Sequence, residues 1–335
     1  MNDQGGADGA APGRPQDSAI RPLRRRLQRR RLTDEQLEHR RRRIRRRGRR
    51  AYIRSVYSLP SLATLGNAIC GFASIYVTFM DPSAQTNDAW TSFLIKNHFL
   101  AAAYLLFIAM LFDALDGRLA RFARHTTDFG GQLDSLADVI SFGAAPAFLA
   151  LQLFHEWQGP SMVPIVSRTI WAIGALYMSC AAIRLARFNV SNEHGEQHHF
   201  SFLGLPSPGA AAAIAGFVLM QQDLAEPVYK LGVQLHPALY DVATVLVWLL
   251  PLLVLMNGLL MVSTIRYPHL VNRYLRGRRS IERLVLALLL LLLLVIVHRY
   301  TIGIGTLIYS LWGPIGWAMA RFRRRGLAAA GAKVQ

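Results

Sequence analysis

Apolar residues gather into eight stretches, at about 60–80, 98–113, 131–153, 168–188, 207–222, 241–262, 284–298 and 301–320. A helix needs roughly 20 mostly apolar residues to cross the hydrocarbon core of a bilayer. Most of the stretches meet or approach that length. The seventh, LVLALLLLLLLVIV, has only fourteen uninterrupted apolar residues and needs its flanks to reach across. Charged residues lie mainly between the stretches, so the pattern predicts an all-α polytopic membrane protein.

Composition agrees. Of 335 residues, 52% are hydrophobic and 17% charged. That excludes a disordered chain, which needs low hydrophobicity, and is too poor in charge for an ordinary soluble domain. The net charge of +18 is unevenly spread: residues 1–56 hold 18 Arg and 6 acids. Seventeen of those Arg lie in residues 21–54, in blocks such as RRRLQRRR and RRRRIRRRGRR. Three readings of this arm stand: attraction to anionic lipid headgroups, a topology anchor, and nucleic-acid binding. The last lacks the interleaved aromatic residues used for base stacking, and no nucleic-acid partner is expected. The first 20 residues show no apolar core before a cleavage site, so no secretory signal peptide is expected. Cys70 and Cys180 both lie in apolar stretches and are expected to stay reduced.

The other basic residues set an orientation. Arg118, Arg121 and Arg124, then Arg184 and Arg187, then six between Arg266 and Arg283, then five from Arg321 onwards share one side with the arm. Lys96, Arg168, Lys230 and Arg299 fall on the other. The positive-inside rule then predicts that both termini face the cytoplasm, in a bacterial inner membrane.

The candidate chemistry begins at Asp113, in DALDGRLARFARHTTDFGGQLDSLAD. Asp113 and Asp116 are three apart and Asp134 and Asp138 four apart, so each pair shares a helix face. The first pair ends the second stretch and the second opens the third. A loop carrying Gly130 and Gly131 is expected between them, giving a hairpin that converges four carboxylates at the cytoplasmic end. Such a cluster repels itself in a low dielectric. Hard divalent cations relieve that repulsion, and the all-oxygen set suits Mg²⁺ or Mn²⁺ better than Zn²⁺. Two such ions suit phosphoryl transfer. Gly117 and Ala120 are small enough to admit a bulky ligand, and Arg118 and Arg121 can bind phosphate oxygens. The competing reading has these Asp residues capping helices or pairing with Arg118, Arg121 and Arg124.

The arrangement Asp113-x2-Asp116-Gly117-x2-Ala120-Arg121-x8-Gly130-x3-Asp134-x3-Asp138 resembles the signature of the CDP-alcohol phosphatidyltransferase family at all eight defining positions. The segments PSLATLGNAICGF, GQLDSLADVISFGAAPA, AIRLARFNV, GLPSPGAAA and LMVSTIRYP look like those of its membrane-integral, serine-accepting branch. The resemblance implies a six-helix transmembrane core over 57–268, usually homodimeric. Residues 269–335 then add a basic loop, two further transmembrane helices and a cytoplasmic tail. It also implies that Asp113, Asp116, Asp134 and Asp138 ligate two metal ions, with Asp138 also the general base. Gly117, Ala120 and Arg121 would cradle CDP-diacylglycerol, with CMP the leaving group and L-serine the acceptor. Asn67, one turn after Thr64, has two readings: contact with the nucleotide diphosphate, or a polar helix–helix contact.

Arg184 and Arg187 are three apart, with Asn189 nearby, at the cytoplasmic end of the fourth stretch. One reading has them bind the serine carboxylate; the other makes them topology anchors or lipid-phosphate ligands. Rival acceptors within the family are glycerol 3-phosphate, an inositol phosphate and choline. A cation transporter is the rival from another class. His194, His198 and His199 read as a solvated loop, and no Walker A loop, GxSxG or zinc-type CxxC pair is present.

Overall fold

The computed structural model describes residues 62–84, 86–123, 128–159, 162–193, 201–230, 237–268 and 281–331. The arm over 1–56, the histidines at 194, 198 and 199, and the basic run from Arg273 to Arg279 lie outside these residues.

Helices occupy all eight apolar stretches. α1 runs over Leu62–Thr78. The short α2, Ala89–Lys96, is capped by Asp88, which accepts from the Thr91 amide at 2.8 Å. A bond from the Thr91 hydroxyl, joined by that amide bond, holds the Asp88 carboxyl below its usual value. α3 spans His98–Ala123 and α4 Asp128–Asp138. A π-helical turn, Val139–Ala144, joins α4 to α5, Ala145–Gln158. α6 spans Pro164–Glu193, α7 Ser207–Lys230 and α8 Pro237–Val262. α9 (Ile281–Ile296) and α10 (His298–Gly331) complete the chain's described helices. Among the described residues, four segments are long and apolar enough to cross a membrane, namely His98–Leu119, Phe129–Gln158, Pro164–Val190 and Tyr240–Val262. The chain is an integral membrane protein with an all-α fold.

Small residues recur in the core. Ala102, Ala103, Ala145, Ala181, Ala210, Ala211, Ala213 and Ala215 are buried, as are the larger Tyr177, Phe142 and Leu106, whereas Leu111, Leu252, Trp171 and Leu288 are exposed. Lipid chains are as apolar as leucine, so close van der Waals contact between small residues helps helices associate, and large side chains can face lipid. The alanine-rich α7 lies at the centre, against α3, α8 and α10.

Two expectations need correction. Gly130 and Gly131 lie within α4, not in a loop. In a first turn the leading amides need no intrahelical acceptor, so glycine's low helix propensity weighs little there. And α3 continues ten residues past Asp113, because the apolar run stops where lipid contact stops, not where backbone hydrogen bonding does.

The sequence pattern did not signal the small antiparallel pair β1 (Ser201–Leu203) with β2 (Arg266–Pro268), in which Phe202 faces Tyr267. It ties the approach to α7 to the exit from α8. Gly204 follows at φ 81, donating to the Ile265 carbonyl at 2.8 Å. A Cβ there would overlap the Met261 carbonyl. Gly204→Ala is expected to lower stability by about 1–3 kcal/mol, read as a lower unfolding midpoint in detergent. Gly305→Ala, where a Cβ meets open space, is expected to leave the midpoint unchanged.

Candidate active site

α3 and α4 bring the two acidic pairs together. Asp113, Asp116 and Asp134 each offer a carboxylate oxygen, and these lie within 4.8 Å of one another. Asp138, one turn beyond Asp134, interacts electrostatically with all three. Asp116 and Asp138 are buried.

α1 reaches both pairs. Asn67 Nδ2 donates to Asp138 Oδ1 at 3.0 Å, a buried contact across helices. One turn earlier, the Thr64 hydroxyl bonds the Asp116 carboxylate, as does the Gly117 amide. Asn67 is itself pinned: Ser141 Oγ, on the π turn, donates to its carbonyl at 2.9 Å. Gly71 makes this approach possible, since a Cβ there would overlap Ser141. The π turn is held from its other side by Tyr177, whose hydroxyl donates to the Phe142 carbonyl at 3.0 Å.

α6 closes the far side. Asn189 Nδ2 donates to Ser135 Oγ at 2.9 Å, beside Asp134. Arg184 is 9% exposed; its Nη1 donates to Ser207 Oγ at 3.0 Å, and its Nε has no hydrogen-bond partner among the described residues. Arg184 also interacts electrostatically with Asp138. Arg187 is exposed and donates to the Val262 carbonyl at 3.3 Å. Arg118 is exposed on α3, and Ala120 and Arg121 occupy its last turn. Beside the carboxylates, a Cβ on Gly117 or Gly131 would meet no protein atom within 4 Å. Sequence reading missed Ser135, Ser141, Tyr177 and Ser207. The polar Ser141 and Ser207 inside apolar stretches were the available signal.

The donor set fits a hard divalent cation. Asp116 Oδ2 and Asp134 Oδ1 are buried without a hydrogen-bond partner among the described residues. Unpaired buried carboxylate oxygens are costly, and their mutual repulsion adds to that cost. A cation answers both at once, and only oxygen ligands are offered.

Comparison with known proteins agrees. Residues 57–255 match the CDP-alcohol phosphatidyltransferase family. A CDP-diacylglycerol–serine O-phosphatidyltransferase of Helicobacter pylori is 30% identical over 268 residues, covering 79% of this chain and 93% of that protein. One from Methanocaldococcus jannaschii is 33% identical over 169 residues, 50% of this chain and 64% of the relative. An archaetidylserine synthase of Methanothermobacter thermautotrophicus is 34% identical over 169 residues, covering 50% of this chain and 60% of its own length. With the paired carboxylates on adjacent helices and a family match over more than half its length, the chain belongs to the CDP-alcohol phosphatidyltransferases.

Proposed function

We propose that the protein transfers the phosphatidyl group of CDP-diacylglycerol to the hydroxyl of L-serine, giving phosphatidylserine and CMP. The observation that carries this reading is the gathering of Asp113, Asp116 and Asp134 beside a fourth carboxylate, Asp138, that is oriented by Asn67. The relatives' names support the acceptor: they differ in lipid but share serine.

Asp113, Asp116, Asp134 and Asp138 would hold Mg²⁺ or Mn²⁺, two ions per site. When bound, the metal would supply positive charge to the pyrophosphate and to the departing phosphate oxygen. Gly117, Ala120, Arg118 and Arg121 receive the CDP headgroup, with Thr64 and Asn67 lining the α1 side; the acyl chains stay in lipid. Asn67 occupies Asp138 Oδ1, which leaves Oδ2 to accept the serine hydroxyl proton. A serine hydroxyl is a weak acid, and a positioned base assists its attack. The serine oxygen bonds to the phosphorus nearer the diacylglycerol, the bond from that phosphorus to CMP breaks, and the proton rests on Asp138. No covalent enzyme intermediate is needed. Arg184, Arg187 and Asn189 lie at the acceptor end, where a carboxylate must be recognised. The site faces the cytoplasm of a bacterial inner membrane, as do both termini; the arm over 1–56 binds anionic lipid, and the protein works as a homodimer.

The test is CMP release by purified protein supplied with CDP-diacylglycerol and Mn²⁺ or Mg²⁺. Serine is compared with glycerol 3-phosphate, inositol phosphate and choline, and the lipid product is identified. Serine-dependent CMP release with phosphatidylserine formed is expected. Preference for another alcohol moves the protein to a different acceptor within the family.

A further inference from the structure

Helix α10 lies wholly beyond residue 255, where the family match ends. It nevertheless docks on the core at three heights. Arg299 Nη1 pairs with Asp223 Oδ1 on α7 at 2.6 Å. Further along, Gly303 meets Gly216: a Cβ on Gly303 would stand 2.7 Å from the Gly216 carbonyl oxygen. Then Ser310 bonds the buried Asn257 side chain of α8, and the Tyr267 hydroxyl donates to the Ser310 carbonyl at 2.9 Å. This third contact sets the place of Tyr309. Its ring lies against the first turn of α7, where a Cβ on Gly209 would be 2.8 Å from Tyr309 Cε1. Two residues earlier on the same turn, Ser207 anchors Arg184 Nη1. Asp138 is a charged neighbour of that guanidinium.

A buried guanidinium with one edge anchored and its Nε unused is a receptor for an anion. Arginine is flexible in water, and a site that fixes it beforehand loses less on binding. We propose that Ser207 is a positioning residue: on a turn packed against the Tyr309 ring, it fixes the Arg184 guanidinium so that the Nε edge receives the carboxylate of the acceptor. The proposal rests on the reading of the protein as a serine phosphatidyltransferase.

The experiment compares steady-state kinetics of the wild type, Tyr309→Phe and Ser207→Ala in the full chain. Ser207→Ala is expected to raise the serine KM roughly three- to tenfold, with kcat and the CDP-diacylglycerol KM within about twofold of wild type. Tyr309→Phe keeps the ring that packs on Gly209 and is expected to match the wild type. Unchanged serine KM in Ser207→Ala, or equal rises for both substrates, overturns the proposal. A wild type that ignores serine but accepts glycerol 3-phosphate overturns the serine reading alone. The same KM comparison on that anionic acceptor then judges Ser207. A wild type that accepts only choline removes both.

Discussion

Asp138→Asn is expected to lower kcat for CMP release by about 10³-fold or more, the upper part of the range for a positioned general base. The amide keeps the shape of the carboxylate and still offers an oxygen to Asn67 Nδ2, which now donates to Asp138 at 3.0 Å. It removes one negative charge from a cluster in which Asp138 feels Asp113, Asp134 and Asp116. In metal-free protein the unfolding midpoint in detergent should therefore hold or rise, since one member of a buried cluster of like charges has been removed. Measuring turnover and midpoint on one preparation separates chemistry from folding. A variant retaining a tenth of wild-type turnover would end the base assignment.

The second large effect concerns the metal. Chelation should stop CMP release, and Mg²⁺ or Mn²⁺ should restore it. The site should also register the ion without turnover. At about 100 times its dissociation constant, a ligand bound only by the folded state adds about 2.7 kcal/mol of stability. Adding Mn²⁺ to metal-free wild type should raise the unfolding midpoint accordingly. Asp116→Ala removes a buried carboxylate oxygen that has no hydrogen-bond partner among the described residues. This variant should lose both the Mn²⁺-dependent rise and most of the activity. A wild-type midpoint indifferent to Mn²⁺, or a variant that responds as fully, would show that the three clustered carboxylates do not bind the ion.

Much of this was legible in the sequence because helices repeat. The spacing of Asp113 with Asp116, and of Asp134 with Asp138, is a local property, so shared faces follow from it. The apolar stretches located the helices for the same reason. What stayed hidden depends on contacts remote in sequence. Asn67 and Asp138 are 71 residues apart, and Ser135 and Asn189 are 54 apart; no periodicity encodes which helix faces which. Arg184 and Arg187 teach a finer point. Residues three apart differ by about 60° around a helix. At the margin of a buried face that is enough to place Arg184 inside, on Ser207, and Arg187 at the surface, on the Val262 carbonyl. The extent of α3 past Asp113 was hidden as well, because hydropathy reports contact with lipid and is blind to backbone geometry.

The wide turn after Asp138 has a consequence for how this fold tolerates change. A π turn absorbs one residue more than an α turn for about the same rotation, so the rod from Asp128 to Gln158 holds a spare residue without turning its two halves apart. Deleting a residue from Val139–Ala144 would restore ordinary winding and leave Asp134 and Asp138 on nearly the same side of the rod relative to α5. A deletion within α5 has no such slack and would swing the residues on either side of it by about 100° relative to each other. The wide turn is thus a place where the chain can change length while its acids keep facing α3.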